Sequence, residues 1–271
     1  MSYQARRDQI IEILEKQGYV TVKYLTEVLH YSSATVNRDL NALQSQQLIT
    51  RSHGGVELAR STYVPVFFRA HKMRAEKNRI GKAAAGFVRD GDTIFIDGST
   101  TSQCMEQYLI HRKDLTVVTN NIVLAANLST NNVRTVCLGG TVVEPPGMLF
   151  GPESVKNAAR WRVDKMFFST GAVSSDGQIA SGVYDLLLKV VAERAGEIFY
   201  LVDHQKVDQP FHEVFGSFDD VQYVISNHDF GASVQAAYPN TTLVTVDTAK
   251  ASPTAAHTRP HSPHRETGEL I

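Results

Sequence analysis

Residues 20–58 read VTVKYLTEVLHYSSATVNRDLNALQSQQLITRSHGGVEL. Leu25, Val28 and Leu29 form a short apolar face behind Thr21, a residue suited to cap a helix. Ser32-Ser33-Ala34-Thr35 then opens a further helix, in which Val36, Leu40 and Leu43 recur at i, i+4 and i+7. Residues 48–51 and 56–58 are strand-like and flank Ser52-His53-Gly54-Gly55, whose paired glycines permit a tight turn. Upstream, Ile10, Ile13, Leu14 and Gln17 fall at helical spacing, and Gly18 can end that helix. Three helices and a hairpin predict a small α+β winged helix-turn-helix over residues 1–58. The second helix of such a unit enters the major groove of DNA. With Val36, Leu40 and Leu43 turned to the core, Ser33, Thr35, Asn37 and Arg38 are left to solvent or DNA. Asn and Arg can read adenine and guanine bidentately, and Ser33 and Thr35 suit phosphates near the helix start. Arg51 and His53 in the wing can reach a phosphate or the minor groove. The same pattern also serves a small protein-binding module whose polar residues are simply solvated.

Composition agrees with two tasks in one chain. The chain has 271 residues, 42% of them apolar, enough for a small domain and a medium one. Net charge is −1, but residues 1–79 hold twelve Lys/Arg against seven Asp/Glu, so the front carries +5 and the rest −6. Such asymmetry points to a DNA-facing front. Cys104 and Cys137 show neither a disulfide framework nor metal-ligand spacing. The first residues lack the apolar centre of a signal peptide, and no apolar run approaches the roughly 20 residues of a membrane span. A cytoplasmic, nucleoid-associated protein without membrane partners is expected.

Residues 59–78 are polar and basic, broken by Pro65 and carrying Phe67 and Phe68, and are expected to be a linker with a packing anchor. Beyond them short apolar stretches at 93–97, 115–119, 133–138, 163–169, 198–203, 221–226 and 242–246 alternate with helix-like ones at 80–88, 102–109, 122–128 and 184–195. That alternation predicts an α/β domain over 79–248 with a mostly parallel sheet covered on both faces. Residues 249–271 are rich in Pro, His, Thr and Ser, and disorder is expected. Within them His257, His261 and His264 have a spacing that can hold a metal on a helix, but Pro260 and Pro263 argue against that helix. No metal and no cofactor are expected.

The segment Ile94-Phe95-Ile96-Asp97-Gly98-Ser99-Thr100-Thr101-Ser102 runs from an apolar strand through a hydroxyl-rich loop into a helix. Free N–H groups, the helix dipole and several hydroxyls converge there, which favours an anion. It is neither a Walker A loop nor a GxGxxG turn. An ordinary capped strand-to-helix turn would look the same. Ligands of open α/β sheets bind beyond the carboxyl ends of the strands. Other residues expected there are Asn120, Gly140 and Ser169-Thr170-Gly171, with Asp203 and Lys206 after a later strand and Lys189 on a helix. Each also has a purely structural reading, as a turn residue or a solvated position. Asp164, in a strand, is left out.

Three runs of this chain resemble the DNA-binding signature of the DeoR family of transcription regulators. They are residues 22–29, Ser32-Ser33-Ala34-Thr35-Val36-Asn37-Arg38-Asp39-Leu40, and residues 48–56. The family usually places two arginines before the Asp-Leu pair, where this chain has Asn37 and Arg38. Glu76-Lys77, Asp90-Gly91-Asp92-Thr93-Ile94, Ser99-Thr100-Thr101, Thr119-Asn120, Leu138-Gly139-Gly140, Asp164-Lys165-Met166-Phe167 and Asp203 with Lys206 resemble that family's sensor domain. The resemblance implies a fold like that of ribose-5-phosphate isomerase and a response to sugar phosphates. It implies that Ser99, Thr100 and Thr101 hold the phosphate. Asp97, Asn120, Gly140, Lys189 and Asp203 or Lys206 would surround the sugar. Ser99 stands where glycine is commoner, Asp185 with residues 186–188 replaces a polar lead-in to Lys189, and Val207-Asp208 replaces an aromatic. The expected protein is a repressor of carbohydrate-utilisation genes, a homodimer or homotetramer that binds double-stranded operator DNA and is controlled by a phosphorylated sugar. The alternative is a sugar-phosphate isomerase with an added DNA-binding module. Asp97, Asp164, Asp185 and Asp203 are its available acids, with no evident base-and-acid pair.

Overall fold

A computed structural model describes residues 3–45, 48–52, 55–58, 73–144, 147–182 and 185–247. His53, most of the expected linker and the histidine-bearing tail lie outside them.

The front of the chain forms α1 (Tyr3–Gln17), β1 (Tyr19–Thr21), α2 (Val22–Leu29), α3 (Ser33–Ser45), β2 (Ile49–Ser52) and β3 (Gly55–Leu58). Gly18, at φ +73°, ends α1 and donates its N–H to the Leu14 carbonyl at 2.8 Å. Thr21 caps α2, its hydroxyl accepting from the Tyr24 N–H at 3.1 Å. The apolar faces read from the sequence meet: Ile10, Leu14, Leu25, Val36, Leu40, Leu43 and Val56 are buried together. The wing is one strand larger than the expected hairpin. Antiparallel β2–β3 is extended by β1, with Val20 opposite Val56, in the order β1-β3-β2. Three residues are too few for alternation to announce a strand. One buried ion pair ties the module together. The Arg6 guanidinium grips both carboxylate oxygens of fully buried Asp39, Nη2 at 3.0 Å from Oδ1 and Nε on Oδ2.

The second part is built on seven parallel strands: β4 (Thr93–Ile96), β5 (Thr116–Thr119), β6 (Arg134–Cys137), β9 (Val163–Phe168), β11 (Ala195–Val202), β13 (Tyr223–Ser226) and β14 (Thr242–Thr245). Their order is β14-β13-β11-β9-β4-β5-β6. Alternate side chains enter two different cores. Phe95, Met166, Phe168, Tyr200 and Val202 fill one, while Ile94, Ile96, Phe167, Phe199 and Leu201 fill the other. This is why consecutive positions of the central strands are apolar: both faces are covered. The covering helices are α4 (Arg74–Ala85), α5 (Glu106–Leu109), α6 (Ile122–Thr130), α7 (Pro152–Ala158), α8 (Asp185–Ala192) and α9 (Gly231–Ala237). Two small antiparallel pairs lie outside the sheet: β7 (Thr141–Glu144) with β8 (Met148–Phe150), and β10 (Gln178–Ala180) with β12 (Val214–Ser217). Helix α4 starts at Arg74, so residues 74–78, expected in the linker, are helical. The polar surface of RAEKNR hid a helix that buries Lys77 and Ile80.

The amino ends of the central strands are riveted by charge. Lys165, in β9, pairs with Asp92, just before β4, at 2.7 Å, and both are largely buried. Asp164 beside it accepts the Thr93 N–H at 2.7 Å.

Candidate functional site

Strand β4 hands over to Asp97, whose own N–H still bonds the Phe167 carbonyl at 3.0 Å. Its carboxylate is 6% exposed. Oδ1 accepts the Ser99 hydroxyl at 2.7 Å and Oδ2 the Ser169 N–H at 3.3 Å. Burial pushes this carboxyl above its ordinary 3.8, against the pull of the hydroxyls of Ser102 and Ser99 and the N–H groups of Ser169 and Ser99. The Ser99 hydroxyl also lies 2.8 Å from that of Ser102 and accepts the Ser102 N–H at 3.1 Å. The Ser99 and Ser102 hydroxyls each have one proton to share between the Asp97 carboxylate and each other. The loop thus ends in a hydroxyl chain and a 3-10 turn, Ser102–Met105, ahead of α5.

Two ammonium groups bracket this loop. Lys77, 4% exposed on α4, donates to the Thr100 hydroxyl at 3.1 Å. Lys206, on the turn after β11, donates to the Thr101 hydroxyl at 3.3 Å and to the Ser169 hydroxyl at 2.8 Å. Thr101 and Ser102 are fully buried. Asp203 is buried at the start of the Lys206 turn and accepts the Gln205 N–H at 3.2 Å, so it positions that lysine's segment.

The neighbouring strand ends complete the edge. Asn120, after β5, is 2% exposed and donates to the Leu149 carbonyl at 3.2 Å. Its carbonyl oxygen is buried and has no hydrogen-bond partner among the described residues. Gly140, after β6, sits at φ +114°, where an added Cβ would lie 2.3 Å from the Ser154 hydroxyl and 2.8 Å from the Phe150 carbonyl. Only glycine fits that turn. Lys189 is exposed on α8, with its ammonium 5.6 Å from the centre of the Phe215 ring.

Asp97, Ser99, Thr101 and Lys206 therefore share one network through Ser169, and Thr100 joins the site through its bond from Lys77. Asp203, Asn120 and Gly140 stand at adjacent strand ends, and Lys189 makes its contact with Phe215. Sequence reasoning assigned no contact here to Lys77 or Ser102, and named Ser169 only as part of a strand-end loop. Of the other acids, Asp164 serves the opposite edge. Asp185 caps its own helix, taking the Gly182 N–H at 2.8 Å and the Ser181 hydroxyl.

In the front module Ser33 and Arg38 are exposed on α3. Thr35 is tied to Ser32, its N–H donating to the Ser32 hydroxyl at 3.2 Å. Asn37 donates its NH2 to the Ser33 carbonyl at 2.9 Å and the Ser33 hydroxyl at 3.2 Å. Arg51, from β2, reaches across to α3. Its Nη2 donates to the Asn37 carbonyl oxygen and its Nη1 to that of Asn41 at 2.6 Å. Asn41 was not among the expected residues, because periodicity shows only that it is exposed. Among the described residues no group of three or more His, Cys, Asp or Glu could hold a metal, and no helix is long and apolar enough to cross a membrane.

Comparison with known proteins matches both parts. Residues 6–62 match the DeoR-like helix-turn-helix domain, and residues 72–228 match the DeoR C terminal sensor domain. The glycerol-3-phosphate regulon repressor of Escherichia coli K12 is 30% identical over 231 residues, covering 84% of this chain and 92% of that protein. The HTH-type transcriptional repressor CsqR of the same strain is 32% identical over 207 residues, 74% of this chain and 78% of that one. The HTH-type transcriptional repressor GlcR of Bacillus subtilis 168 is 27% identical over 231 residues, 84% and 89% respectively. Ribose 5-phosphate isomerase A of Methanocaldococcus jannaschii superposes on 50% of this chain and 55% of its own, with a TM-score of 0.38 and 17% identity. Helix-turn-helix, wing and sensor sheet follow one another in the order of the two matched domains, and the chain belongs to the DeoR family.

Proposed function

We propose that this protein is a transcriptional repressor of carbohydrate-utilisation genes whose grip on operator DNA is set by a phosphorylated sugar. The observation that carries the sensor half is the pair of ammonium groups, Lys77 and Lys206, closing on the hydroxyls of Thr100 and Thr101 beside buried Asp97. Hydroxyls and lysines suit a phosphate. The carboxylate of Asp97 and the carboxamide of Asn120 suit sugar hydroxyls. Gly140, Lys189 and Asp203 line or support the rest of the crevice. Ser33, Thr35, Asn37, Arg38 and Arg51 form the surface offered to DNA, and His53 is assigned to the same task from the sequence alone. Residues 1–58 act as the DNA-binding domain, 59–78 as the connection, 79–248 as the sensor and 249–271 as a tail.

An effector shifts DNA affinity only if it binds two states of the protein differently. Helix α4 offers the route: it receives the chain from the connection and carries Lys77 to the phosphate loop. A coupling of about 2–3 kcal/mol would release an operator appreciably. A symmetric dimer or tetramer matches two-fold operators. The protein acts on cytoplasmic DNA and is proposed not to be an enzyme. All four of its candidate acids accept backbone N–H groups, and the relatives named above are repressors.

The test is a gel-shift titration of the full chain on promoter fragments with a panel of sugar phosphates and glycerol 3-phosphate. At least one compound should change the complex, and Lys206→Met should abolish the change without loss of basal binding. A protein that binds DNA but ignores every phosphate refutes the sensor half. Interconversion of any panel member by the purified chain refutes the non-enzymatic reading.

A further inference from the structure

Arg51 is bound on the recognition helix in a way that changes which groups α3 can show to a base. Ser33, Asn37 and Asn41 stand four residues apart, in one row along the helix. The row spans about 12 Å at 1.5 Å per residue, about the width of the major groove. The Arg51 guanidinium lies against it and donates to both carboxamide oxygens, at Asn37 and Asn41. Asn37 keeps one lone pair on its oxygen, the other being taken by Arg51. Its oxygen is held by Arg51 and its NH2 by the Ser33 carbonyl and hydroxyl. Asn41 is exposed, its oxygen also accepts from Arg51, and its NH2 remains a donor. Bidentate reading of adenine needs a free amide oxygen for the adenine N6 amino group as well as an NH2 for N7. With the Arg51 cation against each oxygen, an adenine amino group would meet a guanidinium already donating there, so both asparagines favour an acceptor edge over adenine. What the row presents is chiefly donors, from Asn41 and from the remaining N–H groups of Arg51. The base edge that matches is guanine, with acceptors at both N7 and O6.

We propose that Asn41, oriented by Arg51, reads a guanine in each operator half-site, and that Asn37 is a positioning residue that locks Arg51 rather than a base reader. This rests on the DNA-binding function proposed above. A neutral amide adds little at a phosphate compared with a lysine, and a contact there would carry no sequence preference.

The experiment uses the full chain and a pool of random-sequence duplexes. Bound duplexes are selected, and affinity is then measured on the winning sequence and on copies with single base pairs changed. Wild type should select a guanine in each half-site and lose on the order of tenfold in affinity when that G·C pair becomes A·T. Asn41→Ala should lose that discrimination while keeping its melting temperature and its affinity for unrelated duplexes. Asn37→Ala and Arg51→Lys, which release or blunt the fork, should weaken the same preference and no other. Guanine discrimination that survives in Asn41→Ala overturns the proposal, as does an adenine at that position or an equal loss on every sequence. Those outcomes leave DNA binding standing. Failure of the wild type to bind any duplex overturns both.

Discussion

Asp97 is a carboxylate that folding takes out of water, and its titration has a definite sign. Burial raises its folded pKa above the ordinary 3.8. The folded protein therefore holds this proton more tightly than the unfolded chain does. The stabilisation is complete below about pH 4 and is lost as pH rises through the folded value. Comparing thermal melts of wild type and Asp97→Asn from about pH 4 upward should show the difference moving in favour of the variant as pH rises. A constant difference across pH would mean that Asp97 does not titrate there. Gly140 gives a second prediction. Alanine at φ +114°, with its Cβ on the Ser154 hydroxyl, should cost at least about 1–3 kcal/mol, read in denaturant melts. Asp97 stood out in the sequence because an apolar run stops at Asp-Gly-Ser-Thr-Thr, although a capped strand-to-helix turn reads the same way. Lys77 was not, for its partner Thr100 is 23 residues away and only the fold brings them together. Nor was the Arg51 fork, since helical spacing assigns a face but not the bonds made on it.

At the scale of elements, α1 and α3 are joined by more than apolar contact. Asp39 was readable as a family position, not as the buried partner of Arg6, which lies 33 residues before it. Asp39 holds the guanidinium in its charged form, first through the hydrogen bond and, after the opposing cost of burial, by charge attraction. Asp39→Ala takes the carboxylate away from that cation, which keeps its contact with Tyr31. We expect a loss of about 3 kcal/mol in the front module, seen as early melting of its amides in hydrogen exchange, with the seven-stranded sheet unaffected. Equal protection in variant and wild type would show that the pair contributes nothing. Strands were the most legible elements. Runs such as Met166–Phe168 in β9 and residues 198–202 in β11 are apolar at successive positions because each face meets a core. The short β1 and the polar start of α4 were the least legible, as pattern reading needs either length or contrast.

At the scale of the whole molecule, the two halves have separate apolar cores, one of them in the front module and two on the faces of the sheet. A tight effector should therefore shift the melting of the sensor more than that of the front. At a hundredfold excess over its dissociation constant the gain is about 2.7 kcal/mol. Differential scanning calorimetry with and without the phosphate that passes the gel-shift test would show it. An equal shift of both transitions would argue for a single cooperative unit. The order of domains was legible because charge and periodicity both change along the chain. How the halves communicate was not, since that depends on geometry rather than composition. The Lys165–Asp92 rivet, at the amino ends of the strands, has a practical corollary. Lys165→Met strips a buried carboxylate of its cation and should cost the sensor about 3 kcal/mol. Lys206→Met, at the opposite ends, should stay within about 1 kcal/mol of wild type. In a genetic screen for alleles that no longer induce, lesions at one rim would surface as scarce, protease-cleared polypeptide. Lesions at the other would surface as abundant protein that sits on its promoter and never lets go.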